Sequence, residues 1–423
     1  MKSFTTEMFL FLITILLVFV LAPTAEAQIN PVPEGTPLPD YAKSIRLHRS
    51  GPCPELFDAL TVNTLPNIML VGYWPPTNEM LRQFSPDPVQ NPSGWAGENW
   101  EGRGFNVYAF FPEFPGGLGK GEGDFEVDYQ DTSDDFWLFS GVVNPVAIVT
   151  FGRAYANWDW EIEWRHRNLT TSYWHDDYEI PLIPTPCPPD ATAPDMFRRY
   201  ASLPAEEIAS AVNEAEIGVN AFVGNTGNSG AFLCEFIGYH AQWYHDLHAE
   251  ASDPAQNIAA GHVHVGSLMD VATATQAAEI TVRTVTEYLG QSLVPNYCVL
   301  YEELGGSITF ELNQTPDDAD RNYLLLAGMS GTDPGFQLPG NEILPLNWDL
   351  FTDIEMMLLN TGYFSTFLGT LDATGSASAT MNTMGPLPAG SSGYSMYFAY
   401  VLSRKPPYVG WYASDAVEVV IVP

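Results

Sequence analysis

The chain has 423 residues, enough for two or three domains. Its 51 acidic and 16 basic residues give a formal net charge of −35, a surface that repels nucleic acid and anionic membranes and excludes both as partners. With 46% hydrophobic and 13% aromatic residues there is ample apolar material for large cores, so charge does not keep the chain disordered.

In chain order, Lys2 precedes an apolar run over 9–21, and Ala25-Glu26-Ala27 supplies small residues for cleavage before Gln28. This predicts a signal peptide over 1–27 and a secreted, periplasmic or cell-surface protein. No later segment has the length of a membrane span. Residues 28–65, rich in proline and polar residues, read as a lead-in packed on the surface. Strand candidates follow at 67–73, 105–111, 145–152, 160–166, 219–224 and 259–265, with helices over 203–215, from about Cys234, and over 272–290. Strands alternating with helices predict a mainly parallel or mixed sheet covered on both faces, a three-layer α/β/α domain over 66–294. Beyond that, short strand candidates at 307–312, 323–327, 367–371, 377–381, 396–402 and 417–422 are separated by Gly, Pro, Asp and Ser turns. They predict an all-β sandwich over 295–423, similar to the C-terminal β-modules of secreted bacterial proteins, with a role in attachment to a cell surface or matrix, or in stabilisation. Its aromatic residues Tyr397, Phe398, Tyr400, Trp411 and Tyr412 read as core.

The chemistry concentrates in 224–240, GNTGNSGAFLCEFIGYH, a glycine-rich turn running into an amphipathic helix that carries Cys234 in its first turns. The positive end of the helix dipole favours a thiolate there. A thiol nucleophile needs a base, and the strand Gly261-His262-Val263-His264-Val265 offers imidazoles.

The order of motifs resembles the pyroglutamyl peptidases, cysteine peptidases that remove an N-terminal pyroglutamate with a Glu, Cys, His triad. The family's Gly-Phe-Glu-Pro-Phe loop and following Asn-Pro-Ser are similar to Gly72-Tyr73-Trp74-Pro75-Pro76 and Asn91-Pro92-Ser93. Its Glu-Arg-Val-Ala-x-Asn segment is matched by Glu163-Trp164-Arg165-His166-Arg167-Asn168, and a Leu-Pro by Leu203-Pro204. Its Gly-x-Tyr/Phe-Val-Cys-Asn is matched by Gly230-Ala231-Phe232-Leu233-Cys234-Glu235, and its Gly-Phe-Ile-His-Val-Pro by Gly261-His262-Val263-His264-Val265-Gly266. The resemblance covers about 66–290. It implies a peptide substrate, no cofactor, Cys234 as nucleophile, His264 as acid and base, Glu163 orienting the imidazolium, and Tyr73 and Asn91 in substrate binding. Backbone N–H groups around 230–234 would receive the oxyanion. The departures are Pro76 in place of an aromatic pocket wall, a longer interval between Cys234 and His264, and Glu235, whose negative charge beside the nucleophile would slow attack.

Two alternatives stand beside this reading. One is a non-catalytic binding protein that keeps the peptidase fold. The other is a zinc-dependent hydrolase built from the pairs His245/His248 and His262/His264, with His240 near and Asp246 or Glu163 as ligand or base. The acidic runs 121–135 and 315–320 read as solvated loops or, alternatively, as calcium ligands. Asn168 and Asn313 fit the glycosylation pattern by chance. Apart from Cys234, one disulfide among Cys53, Cys187 and Cys298 is compatible with an oxidising compartment.

Overall fold

The computed structural model describes residues 65–423 except 75, 116–118, 155–156, 170–188, 225–231, 251–252, 339–341 and 404–410. The expected signal peptide, nearly all of the lead-in, Cys53, Cys187 and the turn residue Gly230 lie outside the described residues. The chain divides into two compact units, between Leu289 and Gly290. No helix among the described residues is long and apolar enough to cross a membrane.

Apolar runs in the first unit form strands β1 (Asn67–Gly72), β2 (Asn106–Phe110), β3 (Pro145–Arg153), β4 (Asp159–Glu163), β5 (Arg165–Arg167), β6 (Arg198–Tyr200), β7 (Asn220–Gly224) and β8 (Ala259–Val265). The helices are α1 (Thr77–Leu81), α2 (Tyr129–Val143), α3 (Ala205–Glu214), α4 (Leu233–Leu247) and α5 (Val271–Leu289). A 6-stranded sheet takes the order β2-β1-β3-β8-β4-β7, parallel throughout except that β4 runs antiparallel to β8. Because side chains alternate across a strand, this register sorts residues by face. Thr150, Gly152, Glu161, Glu163, His262 and His264 share the face under α4. Phe151, Trp160, Val263 and Val265 share the other, where Trp160 Nε1 donates to Thr281 Oγ1 of α5 at 3.1 Å. The sheet is therefore covered on both sides.

Under α2 and α4 lies an aromatic core that includes Phe110, Phe125, Tyr129, Phe136, Phe236, Tyr239 and Trp243, all buried. Two expectations are corrected here. The acidic run 121–135 is not a solvated loop throughout, because its second half opens α2. There Asp135 Oδ2 accepts the Phe125 N–H at 2.6 Å, and Lys120 Nζ holds Asp131 at 2.8 Å and Glu126 at 3.1 Å. The expected strand over 160–166 breaks at Trp164. β5 leaves the main sheet to pair with β6, because His166 turns under α4 against Gly238, where a Cβ would overlap the imidazole.

The second unit contains β9 (Leu293–Pro295), β10 (Val299–Tyr301), β11 (Ser307–Asn313), β12 (Asn322–Gly328), β13 (Phe336–Gln337), β14 (Ile343–Leu344), β15 (Phe364–Ser365), β16 (Leu368–Thr370), β17 (Ser376–Asn382), β18 (Ser395–Leu402), β19 (Tyr412–Ala413) and β20 (Val417–Val422). One sheet runs β10-β20-β18-β12-β16 with β19 on β18; another runs β15-β17-β11-β9. Phe310 of β11 meets Phe398 of β18 with ring centroids 4.4 Å apart, and Phe367 packs edge-on against both. The unit is not all-β. Helix α6 (Leu350–Met357) packs on β12, started by Asp349, whose side chain accepts the Phe351 and Thr352 N–H groups in a capping box.

Candidate functional site

The sheet register brings Glu163, His264 and Cys234 together. β4 and β8 pair so that Glu161 lies opposite His264 and Glu163 opposite His262. The diagonal contact then places Glu163 Oε1 2.8 Å from His264 Nδ1, while Glu161 Oε2 stands at 3.9 Å. Cys234 comes from the first turn of α4, which crosses above this face. Its Sγ and the nitrogens of His262 and His264 all lie within 4.8 Å of one another. Gly152, at the end of β3, makes this approach possible, because a Cβ there would overlap Cys234 Sγ and stand 2.8 Å from His262 Nε2.

The electrostatics follow from burial and charge. Burial opposes a charged His264 ring, yet Cys234, by charge and hydrogen bond, and Glu163 together push His264 well above the ordinary histidine range. Burial raises the Glu161 carboxyl, reinforced by the neighbouring Glu163. His262 is held well below the ordinary range by burial and by the positive charge of His264.

The other expected residues fall differently. Tyr73 is buried in the aromatic core rather than forming a pocket wall. Its N–H is taken by Thr77 Oγ1 at 2.8 Å as β1 turns into α1, and its hydroxyl donates to Thr132 Oγ1 at 3.2 Å. Asn91 braces its own loop, donating to Gln83 O, Ser85 O and Gly94 O at 3.1, 3.2 and 2.8 Å, so its amide N–H groups are not directed at a substrate. Glu235 does not leave a bare charge beside the thiol. It is fully buried and accepts from Arg167 N at 2.5 Å and from Arg167 Nε and Nη2 at 3.1 Å. Asn168, in the glycosylation pattern, is also buried, and its amide holds the carbonyls of Asp190, Ala193 and Pro194.

The four-histidine zinc arrangement does not assemble. His240 bonds Ser133 Oγ at 2.9 Å and Phe236 O at 2.8 Å, His245 bonds Asn257 O at 2.9 Å, His248 bonds Asp253 at 2.9 Å, and Asp246 is paired with Arg199. Sequence reasoning passed over Thr150, Gly152, His166 and Gln242. Thr150 Oγ1 lies 2.7 Å from His262 Nδ1, and Gln242 Nε2 lies 2.9 Å from His166 Nδ1. The signal available for the first two was the polar and small ending, Thr-Phe-Gly, of an otherwise apolar strand. His166 and Gln242 carried none.

Chemically, the arrangement supplies a thiol, an imidazole charged by its surroundings, and a carboxylate on the imidazole's far nitrogen. No protein-family model matches the chain. None of the curated proteins matches it significantly. Among solved structures, it is similar to pyrrolidone carboxyl peptidase from the hyperthermophile Pyrococcus furiosus. A glutamate-to-aspartate variant of that peptidase matches with TM-score 0.38 and 13% identity over 53% of this chain and 99% of that one. The peptidase described together with its cysteine-free mutant gives 0.38 and 12% over 53% and 99%. An alanine-to-proline variant gives 0.37 and 14% over 53% and 99%. The similarity spans nearly the whole of those chains and about half of this one.

Proposed function

We propose that this protein is an exported cysteine peptidase that hydrolyses an N-terminal pyroglutamyl or similar amide. The observation that carries the reading is the relay in which Glu163 sits 2.8 Å from His264 while His264 is hydrogen-bonded to Cys234. The Cys234 thiolate attacks the amide carbonyl, forming a C–S bond, and the oxyanion is received by backbone N–H groups at the start of α4. The tetrahedral intermediate collapses as the His264 imidazolium gives its proton to the departing amine, leaving a thioester. His264, now neutral, takes a proton from water, which attacks the thioester and releases the acid and the thiolate. Glu163 holds the ring orientation throughout and stabilises the positive charge whenever the ring carries it. The second unit serves attachment or stabilisation.

The burial of Tyr73 and the self-bonded Asn91 favour a pocket unlike that of the pyroglutamyl peptidases, so N-terminal amides other than pyroglutamyl belong in the assay. The test is hydrolysis of a pyroglutamyl fluorogenic amide, and of a panel of other N-terminal amides, by the reduced protein beside Cys234→Ala and a chelator control. The expected result is activity that survives chelation and falls on the order of 10³-fold or more in the variant. Activity that is unaffected by Cys234→Ala, or a folded parent inert on every amide, would set the peptidase reading aside in favour of a binding protein.

A further inference from the structure

The proposed hydrolysis leaves one group at the site unused. His262 is fully buried, and its Nε2 has no hydrogen-bond partner among the described residues. Buried polar atoms are almost always paired, so an unpaired one at the centre of a site calls for a ligand. Its other nitrogen is fixed. Thr150 Oγ1 lies 2.7 Å from Nδ1 of His262 and 3.3 Å from Gly261 O; in the tautomer in which the hydroxyl donates to that carbonyl and accepts Nδ1–H, Nε2 offers a lone pair. That lone pair and Cys234 Sγ both close on the bare side of Gly152, where a Cβ would overlap Sγ and stand 2.8 Å from Nε2. His264 mirrors the arrangement. Its Nδ1 is taken by Glu163 at 2.8 Å, which leaves Nε2 for Cys234, to which the ring is hydrogen-bonded.

We infer that Cys234, His262 and His264 form a binding site for a thiophilic divalent cation such as zinc, and that the bound ion closes the nucleophile. One sulfur and two imidazole nitrogens, all within 4.8 Å of one another, are the donor types zinc selects, and a tetrahedral ion leaves a fourth position for water. Both imidazoles already have the partner on the far nitrogen that orients a metal-binding histidine, Thr150 for one and Glu163 for the other. The ion takes the place of the proton shared by Cys234 and His264, which passes to solvent. The sulfur lone pair that would attack a carbonyl is then held by the metal. Binding does not depend on the peptidase reading; only its meaning as regulation of that site rests on it.

The experiment uses the full chain, reduced and metal-free, titrated with zinc chloride against a chromophoric chelator, with Cys234 alkylation by iodoacetamide followed by mass spectrometry in the absence of any substrate. One equivalent of zinc is expected to bind and to slow alkylation at least about tenfold. His262→Gln and Thr150→Val should each weaken binding roughly 10–100-fold while keeping the parent circular dichroism. Cobalt should give a thiolate charge-transfer band that Cys234→Ser removes. An alkylation rate indifferent to zinc overturns the inference, as does parent affinity in Thr150→Val and in a folded His262→Gln. If His262→Gln fails to fold, Thr150→Val decides alone. A zinc-protected thiol in a chain that hydrolyses no amide supports this site and retires the peptidase reading; hydrolysis with an unprotected thiol does the reverse.

Discussion

His264 sits between two carboxylates that are not equivalent. Glu163 touches Nδ1 at 2.8 Å and is almost fully buried, whereas Glu161 stands off at 3.9 Å with about a quarter of its side chain exposed. A buried, bonded carboxylate fixes the tautomer and stabilises the imidazolium; a more distant, partly solvated one is screened. Glu163→Gln is therefore expected to lower kcat roughly 10²–10⁴-fold with little change in KM, and Glu161→Gln to lower it about tenfold or less. Steady-state kinetics on both variants checks this, and equal losses would mean that the two carboxylates share the role. Glu163 is legible from the motif Glu163-Trp164-Arg165-His166-Arg167-Asn168, but the presence of Glu161 on the same side of His264 is not, because it depends on the register between β4 and β8. The same holds for Glu235. Its charge is visible in the sequence, while the Arg167 that neutralises it comes from the short strand β5, brought alongside α4 only by the fold.

At the scale of elements, β1, β2, β3 and β8 were legible because their apolar runs are continuous, as expected of strands buried on both faces, whereas β6 was not, since Arg198-Arg199-Tyr200 carries no apolar run. Helix α2 was not. Its sequence, YQDTSDDFWLFSGVV, opens with acidic and hydroxyl residues that look like a loop, and Asp131, Thr132 and Ser133 become buried only by packing beside α4. Where α6 forms, the sequence predicts only a turn or two over 353–359, because the capping residue Asp349 follows a tryptophan in a proline-containing stretch. α6 also carries an inward carboxyl. Glu355 is buried, and burial pushes it up to about 8, opposed by its bond to the Ala327 N–H at 3.3 Å. Its folded pKa lies above its unfolded one, so its contribution to stability is full below about 4.5 and is lost as pH rises toward 8. Denaturant unfolding of the full chain should thus show Glu355→Gln gaining on the parent between pH 5 and pH 8 by on the order of 3–5 kcal/mol. A parallel pH dependence in both proteins would show Glu355 to be ionised in the folded state.

Across the whole molecule, the acidity that dominates composition lies mostly at the surface, and the buried ionisable groups set the response to pH. Burial holds His166 and His240 down to about 4 and keeps His262 well below the ordinary histidine range, while it raises Asp135 to about 8. Below about 6.5 the unfolded chain binds protons that the folded histidines refuse, a contribution that lowers stability toward pH 4. Above that point Asp135 and Glu355 keep protons that the unfolded chain has lost, so stability falls toward pH 8. Between about 4.5 and 6.5 these histidines are opposed by the carboxyls that burial raises, Glu161 and Glu235 among them, whereas above 6.5 the raised groups all act in one direction, so the denaturation midpoint is expected to fall from pH 6.5 to pH 8.5. Denaturation midpoints at pH 4.5, 6.5 and 8.5 check it; a midpoint still rising at 8.5 would contradict the assignments. Strand order carries a further consequence, this time for synthesis. β8 is the last strand of the main sheet to leave the ribosome, yet it fills the gap between β3 and β4. Until it arrives, two half-sheets wait with open edges, a state prone to pairing with the wrong chain. The nascent polypeptide meanwhile carries the thiol of Cys234 without His264 beside it, so the candidate site and the finished sheet come into being in the same folding step.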